Sequence, residues 1–192
     1  MIADLELFTF VNDIHEEAPN ELAGFRNCYN PSDKNEYYIG DNIDLINCKK
    51  KDVARLQARI NELRLLYGDR FITGNHEAQR DSDRLVIIKP GVAVMHGDLI
   101  FWGKEKSEKY RRKDHGAGFL KRGLWVNALE AFEAGYDREI SEEDIHRFID
   151  LCHQHNVHTI IVGHMHPKVQ KILQRADLTL IVLKRGVTTL RL

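Results

Sequence analysis

Five short runs rich in β-branched and aromatic residues each stop at a tight cluster of Asp, Asn, Gly or His. The runs cover residues 7–11, 37–39, 70–72, 92–95 and 159–162. At that length and composition they read as buried strands rather than helices. The clusters that end them are Asp13-Ile14-His15, Gly40-Asp41-Asn42-Ile43-Asp44, Gly74-Asn75-His76-Glu77, His96-Gly97-Asp98 and Gly163-His164-Met165-His166. Glycine at such a point lets the backbone turn sharply, so that neighbouring side chains converge.

Between the strands the period changes. Residues 53–67 place Val53, Leu56, Ile60, Leu63 and the pair Leu66-Tyr67 at helical spacing, with Gly68 as the stop. A second helix opens at Ser141, a side-chain cap with Asp144 in the reciprocal position, and carries Ile145, Phe148, Ile149 and Cys152 on one face. Strand, polar loop, helix, repeated, is an α/β pattern. In such folds ligands collect beyond the strand ends, so polar residues there count for more than equal residues elsewhere.

The remaining stretches fit one domain over 1–192. Residues 16–36 read as a loop with at most one short helix, and about 99–140 as a helical, cap-like insert. After Pro167, residues 169–173, 178–183 and 187–192 read as a closing antiparallel meander, turned near 175–177 and 184–186.

Charge and cysteines narrow the function classes. With 28 basic and 29 acidic side chains the net charge is −1, so no stable nucleic-acid complex is expected from the overall field. Cys28, Cys48 and Cys152 form no Cys-x-x-Cys pair, which points to buried reduced thiols. Acids stand near the N-terminus where a signal peptide needs bases, and no apolar run approaches the roughly 20 residues of a membrane span. The expectation is a cytoplasmic protein without a transmembrane segment.

Apart from Ile14, Ile43 and Met165, the side chains of the five clusters are oxygen and imidazole nitrogen donors, with no thiolate among them. That set suits Mn first, with Fe, Zn or Co as alternatives. One cluster alone would be an ordinary turn, whereas five in this order, each after a strand, describe a site.

The order Asp-x-His, Gly-Asp-x-x-Asp, Gly-Asn-His-Glu, a lone His, then Gly-His-x-His resembles the calcineurin-like metallophosphoesterases over nearly the whole chain. The resemblance implies an α/β fold, a four-layer αββα sandwich, with two divalent metal ions between the sheet ends. It implies that Asp13, His15, Asp41 and His166 hold one ion and Asp41, Asn75, His96 and His164 the other. The implied activity is hydrolysis of a phosphoester, as a phosphodiesterase or pyrophosphatase on a small anionic substrate, by a metal-bridging hydroxide. His76, beside Asn75, is the candidate general acid, and the resemblance makes Asp44 its carboxylate partner. Glu77 and Asp98 read as loop braces.

Several positions depart from the family. Leu45 stands where the Ser/Thr protein phosphatases carry a phosphate-clamping Arg, which leucine cannot replace. Asn12 replaces a more usual Ser, and Lys184-Arg185-Gly186 an Asn-containing turn; both are expected to alter substrate contacts. The layout after His96 is similar to bacterial UDP-2,3-diacylglucosamine hydrolases, but those carry Arg where this chain has His76. The insert sets Arg111, Arg112 and six further bases among Trp102, Tyr110, Phe119 and Trp125. It reads either as a basic cap contacting substrate through Arg111 and Arg112, or as a solvated helix face. His153, His155 and His158 fit the end of a helix, where the dipole favours them. Two other functions remain open at this point: a nuclease acting on short nucleic acid, and a catalytically silent metal-binding scaffold.

Overall fold

The computed structural model describes residues 6–15, 32–46, 48–77, 85–111 and 138–192. The loop expected over 16–36 falls largely outside the described residues. So do Arg112, Phe119, Trp125 and the side chain of Arg111.

Among the described residues nine strands form two sheets. In the first, β1 (Leu7–Asn12), β2 (Glu36–Ile39) and β3 (Phe71–Ile72) run parallel, and β9 (Gly186–Arg191) pairs antiparallel with β1. In the second, β5 (Val92–Met95), β6 (Thr159–Val162) and β8 (Leu178–Val182) run parallel. There β4 (Val86–Lys89) and β7 (Lys171–Arg175) close the two edges antiparallel. The helices are α1 (Val53–Tyr67), α2 (Asp98–Arg111) and α3 (Glu142–His155).

Side-chain alternation along the strands creates the layers. Phe8, Phe10, Tyr37 and Ile39 meet Val94, Ile161 and Ile181 between the sheets. The opposite face of the first sheet, with Val11, Tyr38 and Phe71, packs on Leu56, Ile60, Leu63 and Tyr67 of α1. The outer face of the second, with Ala93, Met95, Ile160 and Val162, packs on Ile100, Phe101, Phe148 and Cys152. Both faces of each sheet are covered, which is why the parallel strands read as continuous apolar runs. The result is the αββα sandwich that the resemblance implies. Each large core side chain contributes on the order of 1.5–3 kcal/mol by burial.

The closing meander is different from the expectation. β7 and β8 do form a hairpin, but β8 already has β6 on its other side, so β9 has no edge to join there. It crosses to the open edge of β1, where Leu190 and Leu192 turn toward the inter-sheet core. β4 is a strand that sequence reading leaves out. α2 starts directly after His96-Gly97, and Gly103 (φ 74°, ψ 168°) breaks it after the first turns, whose Ile100 and Phe101 are core residues. The capping box of α3 is present, Ser141 accepting from the Asp144 N–H and Asp144 from the Ser141 N–H. Among the described residues no helix is long and apolar enough to cross a membrane.

Candidate metal centre

All five clusters follow the C-terminal ends of parallel strands: β1, β2 and β3 from one sheet, β5 and β6 from the other. The sandwich brings those ends together, and the clusters meet across the gap. Asp13 Oδ1 lies 3.3 Å from His166 Nε2, which lies 3.2 Å from His15 Nε2. On the other side His96 Nε2 lies 3.2 Å from Asp41 Oδ2, 3.0 Å from Asn75 Oδ1 and 3.0 Å from His164 Nδ1. Potential ligand atoms of Asp13, His15 and His166 fall within 4.8 Å of one another, as do those of Asp41, His96 and His164. A third such group is His15, Asp44 and His76. The structure therefore brings together all seven residues expected to bind metal, together with His76 and Asp44.

Backbone conformation singles out the same residues. Among the described residues seven non-glycine residues have a positive φ, and five of them are Asp13, His15, Asp41, His164 and His166. Left-handed backbone costs an L-residue roughly 1–2 kcal/mol. Such strain persists only where surrounding contacts over-determine it, and it gathers at functional sites.

Those contacts run from loop to loop. Asp13 Oδ2 accepts the backbone N–H of His164 at 2.8 Å and the Asn12 amide at 2.8 Å, which leaves Oδ1 facing His166. Asp41 Oδ1 accepts the His76 N–H at 2.7 Å, which leaves Oδ2 facing His96. Buried Glu77 accepts four backbone N–H groups: Asp41 and Gly74 on Oε2, Asn42 and Ile43 on Oε1. It staples the second cluster to the third, a brace of the kind its place after His76 suggests. Gly74 has to be glycine, because a Cβ there would overlap Asp41 Oδ1.

Burial and the neighbouring charges set the protonation of the cluster against each other. Burial works against the His96 imidazolium, but the Asp41 carboxylate outweighs it and lifts the pKa to about 10. Burial likewise opposes charge on His76, and Asp44 with Asp41 raises it to about 10. His164 lies well below its ordinary value through burial and then the charge of His96, and burial also lowers His15. Burial would raise Asp13, yet His166 brings it down to about 2. Asp41 and Asp44 are held below the usual carboxylate range against burial, chiefly by His96 and His76 respectively. Burial and the Asp41 charge push Glu77 up to about 7.

Three acceptors therefore converge on His96 Nε2, and one N–H can serve only one of them. A divalent cation could be shared by all four atoms. Adjacent ligands of an ion with bonds of ~2.1 Å are separated by ~3.0 Å in an octahedron and ~3.4 Å in a tetrahedron. The spacings of 3.0–3.3 Å across both groups match that range. The residues fit divalent metal.

His76 Nδ1 lies 3.1 Å from Asp44 Oδ1, and the same carboxylate reaches toward His15 Nδ1 at 3.7 Å. Trp102 stands edge-on to His164, with ring centroids 4.3 Å apart, and so belongs to the wall of the site. In the sequence it falls with the aromatic residues of the insert. Arg185 was expected to alter substrate contacts; in the structure it donates to the carbonyls of Asp13 and Ile14. Its signal in the sequence is the departure of the Lys184-Arg185-Gly186 turn from an Asn-containing one; nothing local says which loop it reaches.

Layering and loop constellation together define an αββα sandwich with a carboxylate–imidazole centre at the strand ends, as the resemblance to calcineurin-like metallophosphoesterases implies. No protein-family model matches the chain. No curated protein matches it either. Among solved structures it is similar to a conserved uncharacterized protein, described as a predicted phosphoesterase, from Streptococcus pneumoniae. The identity is 11% over 94% of this chain and 72% of that one, with a TM-score of 0.45. It is similar to a cold-active protein-tyrosine phosphatase of a psychrophilic Shewanella (15% identity, 97% and 76% covered, TM-score 0.44). A third likeness is to vacuolar protein sorting 29 from Cryptosporidium parvum (10% identity, 97% and 86% covered, TM-score 0.43). At this depth the likenesses add nothing to what the geometry itself supports.

Proposed function

We propose that this chain is a dinuclear-metal-dependent phosphoesterase, hydrolysing a phosphodiester or pyrophosphate in a small anionic substrate. The observation that carries this reading is the convergence of seven Asp, Asn and His side chains from both sheets, five of them on left-handed backbone. Asp13, His15, Asp41 and His166 would hold one divalent cation, and Asp41, Asn75, His96 and His164 the other, with Mn favoured by the donor set. When bound, the pair supplies positive charge for a phosphoryl oxygen and lowers the pKa of an attacking water.

The protein's own groups do the rest. Asp13 and Asp41 are the only carboxylates in the ligand set, so their charge leaves a dication pair in excess and the cleft attractive to phosphate. His76 keeps Nδ1 against Asp44 and presents Nε2 as the proton donor to a leaving alkoxide. Asp44 fixes that ring orientation. Neutralising the charge of Asp41 removes one of the two carboxylates that lift His76, which brings its pKa closer to that of a working acid. Leu45 is fully buried, so no phosphate clamp comes from that position. This supports a substrate other than a phosphoprotein.

The test is a panel on Mn-reconstituted protein: an aryl monoester, an aryl diester, nucleotide-sugar pyrophosphates and single-stranded DNA. Turnover is expected on the diester or the pyrophosphates. Bound Mn with no turnover on any member would make the chain a silent scaffold, and preferred cleavage of DNA would make it a nuclease. His76→Ala should lose about 10²- to 10⁴-fold with poor leaving groups and little with good ones.

A further inference from the structure

Two positions that depart from the family pattern, Asn12 and the Lys184-Arg185-Gly186 turn, are far apart in sequence and adjacent in space. β9 begins at Gly186, which pairs with Asn12 at the end of β1, so the turn before it arrives beside the Asp13–His15 loop. The Asn12 amide donates to Asp13 Oδ2 at 2.8 Å and to the Lys184 carbonyl at 3.1 Å. Arg185 Nε donates to the Asp13 carbonyl at 2.7 Å, and its Nη2 to the Ile14 carbonyl at 2.9 Å. One turn therefore grips the loop twice, through a side chain on one side and the backbone on the other.

The gripped loop is strained on both sides of Ile14. Asp13 and His15 have φ values of 54° and 56°, and Ile14 lies between them. Bonds from a guanidinium are charge-assisted, and its rigid fork can hold two carbonyls at once, as an ammonium cannot. The Asp41 loop has a separate brace, the buried carboxylate of Glu77.

We propose that Arg185, with Asn12, is the positioning residue of the half-site formed by Asp13, His15 and His166, and sets the affinity of the cation bound there but not of the other. The proposal rests on the metal reading above. Its sign separates it from simple electrostatics. A cationic side chain beside a cation site repels the ion, so charge alone would make Arg185→Ala bind metal more tightly. Positioning makes it bind more weakly, by roughly 10- to 100-fold if Arg185 behaves like other groups that orient metal ligands.

The experiment is a calorimetric and spin-resonance titration of the metal-stripped 192-residue chain with Mn²⁺ alone. Wild type should show two binding steps. In Arg185→Ala one step should weaken by roughly 10- to 100-fold and the other stay within a factor of two or so. Arg185→Lys keeps the charge without the fork and should weaken the same step. Asn12→Ser cuts the second grip, leaves the turn in place, and should weaken that step by less; it carries the test should Arg185→Ala not fold. Unchanged or tighter binding in Arg185→Ala, full affinity in Arg185→Lys, or equal weakening of both steps would each overturn the proposal. Wild type that takes up no Mn²⁺ would overturn the metal-centre reading itself, and this inference with it.

Discussion

The two halves of the centre use the same chemistry in different surroundings. Around Asp41, His96 and His164 everything is buried: the side chains of His96 and Asp41 are 0% and 2% exposed, and Trp102 covers the edge of His164. Around Asp13 the two imidazoles lie at the rim, His15 12% and His166 15% exposed. The brace differs in the same way, a buried carboxylate for one and a surface arginine for the other. Electrostatic interactions strengthen as solvent is excluded. The inner half should therefore hold its cation more tightly and exchange it more slowly, and the outer half should be the one that feels solvent and substrate.

Asp41 is the residue that would unite the halves, so its removal is expected to have the largest effect. Metal charge at a reacting phosphate contributes several kcal/mol. At about 1.4 kcal/mol per decade, Asp41→Ala should lower kcat about a thousandfold or more. It should also abolish both steps of a Mn²⁺ titration. Retention of one intact step would mean that the halves do not share a ligand.

Next comes the buried brace. Glu77→Ala would leave four backbone N–H groups without their acceptor. Each unsatisfied buried donor costs about 1–3 kcal/mol, so even with partial relaxation a loss of about 3 kcal/mol or more is expected by chemical denaturation. Arg185→Ala, at the surface, should cost the metal-free fold less than about 1 kcal/mol. Equal losses would remove the contrast between an inner and an outer brace.

Chelation should then separate the halves in time. A ligand at a hundred times its Kd stabilises the native state by about 2.7 kcal/mol, or on the order of 5–10 °C in Tm for a chain of this size. Limiting chelator should remove the smaller, outer share of that shift first. A single cooperative loss would show that the rim exposure of His15 and His166 has no bearing on affinity.

How much of this the sequence could tell depended on whether the signal was local. The five clusters were legible because each packs donor side chains, in four of them beside a glycine, directly after a strand-like run. The capping box of α3 was legible because its two partners are three residues apart. The route of β9 was not, because the turn at 184–186 looks the same whether the next strand joins β8 or crosses to β1; only the occupied edge of β8 decides. β4 is short and half-exposed, and gains definition from its pairing with β5. At the site, Asn12 and Arg185 could be seen as unusual, but their joint grip on Asp13 bridges 172 residues and exists only once β9 lies against β1.

The smallest expected effect concerns the strained backbone. His15 is at the rim, burial lowers its pKa, and its φ is 56°. Glycine there relieves roughly 1–2 kcal/mol of left-handed strain and adds about 0.5–1 kcal/mol of chain entropy to be lost on folding. Part of the remainder goes in lost contact with the His76 and His166 rings, which lie 4.6 and 4.9 Å away. Metal-free His15→Gly should therefore unfold within about 1 kcal/mol of wild type, or ~2–4 °C, although it removes a candidate ligand. Ala176, at φ 53° in the β7–β8 turn and outside the centre, calibrates the strain: Ala176→Gly should raise Tm slightly without changing Mn²⁺ binding. With Mn²⁺ present the order should invert, since wild type and Ala176→Gly gain the full metal shift and His15→Gly only the inner share. A metal-free His15→Gly that falls several kcal/mol below wild type would show that the rim imidazole supports the fold itself, and the distinction between a stabilising inner half and a strained outer half would be lost.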